Sequence, residues 1–147
     1  MSLKERFSSE LKDSLKAGDR LKLSTIRLIM ASLKNREIEK RGSLSEEEII
    51  DLLVSLSKQR KESIEEFKKG GRQDLVDKET EELKIIESYL PQQLTPEEIK
   101  KIIGETITET GASGSKDIGK VMKVLMPKVK GRADGKLVNE MVKELLG

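Results

Sequence analysis

Tyr89-Leu90-Pro91-Gln92-Gln93-Leu94-Thr95-Pro96-Glu97-Glu98 holds a helix stop and a helix start side by side. Pro91 has no backbone N–H and disfavours the helical conformation of the residue before it, so a helix arriving from the N-terminal side ends there. Thr95 followed three residues on by Glu98 has capping-box spacing. Pro96 takes the first helical position, where a missing N–H costs nothing. The stretch therefore predicts a division of the chain: residues 1–90 as an N-terminal helical domain, 91–94 as a short linker, and 95–147 as a C-terminal unit.

Outward from that stretch the apolar residues recur at helical spacing, and nothing alternates as a strand would. Towards the N-terminus, a first helix is expected over about 2–16 with Leu3, Phe7, Leu11 and Leu15 on one stripe, closed by Gly18. A second runs over about 20–41 with Leu23, Ile26, Met30 and Leu33 inward, and Gly42 stops it. Ser45-Glu46-Glu47-Glu48 caps a third that reaches about Lys69 before Gly70-Gly71. Asp74 opens a fourth, with Val76, Leu83, Ile86 and Leu90 inward. Towards the C-terminus, a fifth helix runs from Thr95 to about Glu109, and a sixth from about Ser115 to Met126. An irregular basic connector over 128–133 follows, and Asp134 caps a last helix ending near Leu146. The expected class is all-α: an N-terminal multi-helix array followed by a small three-helix C-terminal bundle.

Composition narrows the chemistry. The 147 residues include no Cys, no His and no Trp, while charged residues make up 38%. Without Cys, disulfides and thiolate chemistry are excluded. Without His, the commonest general base and metal ligand are missing, leaving carboxylates, Lys or Tyr89 for any catalysis. No Gly-rich phosphate loop and no nucleophile elbow occurs. No catalytic residue, metal site or cofactor is assigned. The first residues do not read as a signal peptide and no apolar run spans a bilayer, so the expectation is a cytoplasmic protein with no membrane partner.

Charge is unevenly distributed. Residues 1–41 carry 11 basic and 6 acidic side chains, residues 42–94 carry 8 and 13, and residues 95–147 carry 10 and 8. The densest basic cluster comprises Lys116, Lys120, Lys123, Lys128, Lys130, Arg132 and Lys136. On an ideal helix Lys116, Lys120 and Lys123 share a face, opposite Ile118, Val121, Met122 and Leu125. Such a surface suits a polyanion, because neutralised phosphates release counterions. A solvated helix face with a Lys-rich loop is the plainer alternative. A second basic stripe, Arg20, Arg27 and Lys34, recurs every seven residues, with no acid from Arg20 to Arg36. Solvation or pairing with the acidic middle would also account for it. Aromatics are scarce (Phe7, Phe67 and Tyr89), so base stacking is disfavoured and any nucleic acid would be read by shape and backbone.

Three stretches carry a resemblance. Thr25-Ile26-Arg27-Leu28-Ile29-Met30-Ala31-Ser32-Leu33-Lys34-Asn35-Arg36-Glu37-Ile38 resembles the front motif of the bacterial YqeY family. Tyr89 to Leu94 resembles its central motif. Asp117-Ile118-Gly119-Lys120-Val121-Met122, running on to Lys130-Gly131-Arg132-Ala133-Asp134-Gly135, resembles its C-terminal motif. The resemblance implies two helical parts. It also implies that about Thr95 to Gly147 is similar to the tail domain of the glutamyl/aspartyl-tRNA amidotransferase B subunit (GatB), which contacts tRNA. No stretch matches that enzyme's catalytic domains. The function implied is a non-catalytic module binding tRNA, another structured RNA or a tRNA–enzyme complex. The alternative is an accessory subunit in tRNA-dependent amidation, partnered by amidotransferase subunits or an aminoacyl-tRNA synthetase. A family label of carbon–nitrogen ligase with glutamine as amido-N-donor would then be inherited through the shared tail.

Overall fold

The computed structural model describes residues 1–147. It contains seven α-helices and no strand: α1 Leu3–Ala17, α2 Arg20–Lys40, α3 Glu46–Lys69, α4 Gln73–Glu87, α5 Pro96–Thr110, α6 Ile118–Val129 and α7 Gly135–Leu146. The class is all-α. No helix is long and apolar enough to cross a membrane. The chain divides into two compact units, Met1–Leu90 and Pro91–Gly147.

In the first unit, Ser2, Asp19 and Ser45 each accept a backbone N–H at the start of α1, α2 and α3. Glu48 completes a capping box on α3, and satisfying these otherwise orphaned donors fixes where each helix begins. The core gathers Leu3 and Phe7 of α1, Ile26, Ile29 and Leu33 of α2, Ile49, Leu53 and Leu56 of α3, and Ile86 with Tyr89 at the end of α4. Glu46 of α3 accepts the Leu3 N–H at 3.2 Å, so the third helix helps to cap the first.

Two of the expected apolar stripes shift. Leu15 is 62% exposed, and Ser14 is buried in its place. A strict four-residue step overshoots a 3.6-residue turn by about 40°, so Leu15 lies about 120° round the helix from Leu3 while Ser14 lies close to it. The Ser14 hydroxyl is satisfied by donating to the Glu10 carbonyl at 2.7 Å. On α2, Thr25 and Ile29 are buried, whereas Leu23 and Met30 are half-buried.

α3 and α4 form a helical hairpin turned at Gly70-Gly71. Arg60 of α3 places its Nε 3.1 Å from the Glu79 carboxylate and 3.0 Å from that of Glu82, both on α4. All three side chains are less than one-fifth exposed.

In the second unit, α5, α6 and α7 close over Ile99, Ile103, Val121, Leu125, Val129, Val138 and Val142. Here α6 departs from expectation at both ends. Ser115–Asp117 forms a separate 3₁₀ turn, and α6 starts at Ile118. It does not stop at Met126: Pro127 lies inside the helix, which continues to Val129. The proline forfeits one backbone hydrogen bond near the helix end. Complete burial of Val129 in the core offsets that loss. The irregular connector is thereby shortened to Lys130–Asp134.

Candidate nucleic-acid interface

The residues that shape this face come from three places: the 3₁₀ turn, the outer side of α6, and the connector into α7. Val121, Leu125 and Val129 bury one side of α6, which leaves Lys120, Lys123 and Lys128 exposed on the other. Lys116 is exposed in the 3₁₀ turn, so it does not share an α-helical face with Lys120 and Lys123 as ideal spacing predicted. A 3₁₀ turn advances about 120° per residue, which breaks the α register before α6 begins. Asp117 ends that turn. Its carboxyl is held below the ordinary range, chiefly by the Ser113 backbone N–H donating to it at 3.0 Å. The nearby charges of Lys116 and Lys120 act in the same direction.

The connector is ordered by residues far away in sequence. The Gln93 side-chain amide donates to the Gly131 carbonyl at 2.7 Å, and the Leu94 N–H donates to the Arg132 carbonyl at 2.8 Å. Arg132 Nε donates to the Gln92 carbonyl at 3.3 Å. Residues 91–94, expected as a linker, are thus fastened to the C-terminal unit. Gly131, with φ at +75° and its residue buried, supplies the left-handed turn that brings these carbonyls into place.

The expected cations do not stand equally free. Lys128 donates to Glu109 at 2.6 Å and to the Thr106 hydroxyl at 3.2 Å. Its charge is already compensated on the protein. Arg132 spends its Nε on Gln92. Lys116, Lys120, Lys123, Lys130 and Lys136 are exposed. Arg27 and Lys34 lie in the first unit, exposed on α2 and unpaired; the other seven candidates lie in the second. The parts missed by sequence reasoning are Thr106, Glu109, Gln92 and Gln93. Gln92 and Gln93 stand in the central motif, but nothing in their spacing says that their partners lie about forty residues on.

Tyr89 is buried just beyond α4. Its ring packs edge-on against Phe7 at 4.9 Å, and the Arg6 guanidinium lies over it, also at 4.9 Å. Burial, with the Glu10 carboxylate adding to it, pushes the phenol's ionisation far upward. A hydroxyl held protonated in this way is no base at neutral pH.

Comparison with known proteins gives the following. The family described as "Yqey-like protein" matches residues 4–146. Three fungal proteins, each named "Altered inheritance of mitochondria protein 41, mitochondrial", are similar to the chain. That of Lachancea thermotolerans is 44% identical over 87 residues, covering 58% of this chain and 46% of its own length. That of Saccharomyces cerevisiae (strain YJM789) is 32% identical over 142 residues, covering 96% and 66%. That of Pyrenophora tritici-repentis is 29% identical over 145 residues, covering 97% and 80%. The chain spans about half the length of the first two such relatives that it matches. These findings correct two expectations. The bacterial assignment and the cytoplasmic placement are overturned, because these relatives are fungal and carry "mitochondrial" in their names.

Proposed function

The chain belongs to the Yqey-like protein family, and from that premise we propose that it is a non-catalytic module that binds structured RNA, tRNA foremost, through its C-terminal unit. The observation that carries this reading is the exposed set Lys116, Lys120, Lys123 and Lys136, spread over the 3₁₀ turn, the outer side of α6 and the start of α7, with Lys130 exposed in the connector between them. Exposed ammonium groups on a scaffold with a closed apolar core make a surface for phosphates rather than for base edges. The unit offers no aromatic side chain on which a base could stack, since Phe7, Phe67 and Tyr89 all belong to residues 1–90. Recognition would then follow the spacing of phosphates in a folded RNA. The location in the relatives' names favours the mitochondrion as the place of action.

The test is a gel-shift titration of the full chain with bulk tRNA, beside a Lys120→Glu/Lys123→Glu variant. Both positions are exposed, so the fold should tolerate the change. The variant should bind at least roughly 10-fold more weakly, because two attractions become repulsions. Equal binding by the two proteins would refute the assignment of this face.

A further inference from the structure

α2 has a second face that the core does not use. Arg27, Ala31, Lys34 and Ile38 follow one another at steps of four, three and four residues, which lines them up on a helix. All four are exposed, and Ile38 is 65% exposed. On the α1 side of this stripe runs a groove whose lining includes Lys4, Phe7, Met30, Ala31, Leu33 and Lys34. Its floor is apolar. Met30 is unbranched and adaptable, and Ala31 is small enough to let another backbone approach closely. The cations in its lining and on the adjoining stripe differ in kind. Lys4 is already held by Glu37 at 2.6 Å, while Arg27 and Lys34 have no partner. No acid lies between Arg20 and Arg36, and Glu37, which follows on α2 and also lines the groove, is already paired with Lys4.

We propose that the α1–α2 groove docks an acidic amphipathic helix of a partner protein. Its apolar stripe would lie on Met30, Ala31 and Leu33, and its carboxylates would meet Arg27 and Lys34. Charge complementarity selects the occupant. Two unpaired cations seven residues apart on a helix stand about 10 Å apart, which matches carboxylates two turns apart on a facing helix. The apolar floor argues against nucleic acid here. A phosphate backbone gains nothing from Met30 or Ala31, and the one aromatic in the lining, Phe7, is 1% exposed. This surface belongs to the first unit, so the proposal stands apart from the RNA reading of the second.

The experiment uses the full chain and a fluorescein-labelled synthetic helix of Leu and Glu, with Leu at the core-facing heptad positions and Glu two turns apart. Controls are the same composition with the Leu positions scrambled, and a counterpart with Lys for Glu. Anisotropy should show saturable binding of the acidic amphipathic peptide alone. Arg27→Glu/Lys34→Glu should weaken it by roughly 10-fold or more, with an unchanged far-UV spectrum and unchanged affinity for tRNA. Three results would overturn the proposal: equal binding of the scrambled peptide, no effect of the double reversal, or a double reversal that lowers affinity for tRNA while the peptide never binds. The last would assign the stripe to nucleic acid instead.

Discussion

Gly131 and Glu37 show how single residues hold distant parts of the chain. Gly131 is buried in the left-handed region, with its carbonyl taken by Gln93. A side chain there meets the steric penalty of that conformation, so Gly131→Ala should destabilise the C-terminal unit by about 1 kcal/mol, read by urea unfolding. Glu37 accepts the Lys4 ammonium at 2.6 Å and the Leu44 N–H at 2.9 Å. The Lys4 hydrogen bond foremost, then that of Leu44, holds its carboxyl below the ordinary glutamate value. A carboxyl depressed in the folded state stabilises the protein above its unfolded pKa and loses that contribution as pH falls through the folded one. Glu37→Gln should therefore be less stable than the parent at pH 7, and the gap should close as pH falls below the ordinary glutamate range. Parallel urea curves at the two pH values measure it. Neither role was legible in the sequence. A glycine in a basic loop and a glutamate late in a helix look ordinary until their partners are known, and those partners lie well along the chain.

Helix positions were far more legible than helix faces and ends. Capping residues read directly from sequence start α3, α5 and α7 where expected, because a cap is a local interaction between residues about three apart. α4 begins at Gln73, one residue before the expected Asp74, and Arg72 grips Asp74 at 3.1 Å. Leu15 was misplaced because a four-residue step drifts around the helix. The end of α6 was misplaced because burial of Val129 outweighs a proline. The first error is one of helix geometry, and the second comes from tertiary packing, which spacing alone does not report. The α3–α4 hairpin shows the same limit: Arg60 with Glu79 and Glu82 looks like any charged trio in sequence, yet it is mostly buried. Removing the cation leaves two carboxylates poorly solvated and uncompensated. Arg60→Met should cost about 3 kcal/mol, and adding Glu79→Gln and Glu82→Gln should restore much of it. Chemical denaturation of the three proteins checks both halves.

For the whole molecule, the uneven charge map was the best sequence guide to candidate surfaces, and the structure changes its weighting. Of the seven cations in the C-terminal cluster, Lys128 is compensated by Glu109 and Arg132 is engaged with Gln92. Lys116, Lys120, Lys123 and Lys136, exposed around α6, are left to meet a polyanion. Sequence could not separate these groups, since Glu109 lies on a different helix from Lys128. The central claim is that this surface binds RNA through phosphates. Its most direct test is the salt dependence of tRNA binding by the full chain, followed by anisotropy from about 50 to 300 mM monovalent salt. Log affinity should fall linearly with log salt, with a slope of roughly −3, made shallower by about 1 for each of Lys120 and Lys123 replaced by Gln. No binding at the lowest salt, or a slope that these replacements leave unchanged, would contradict it.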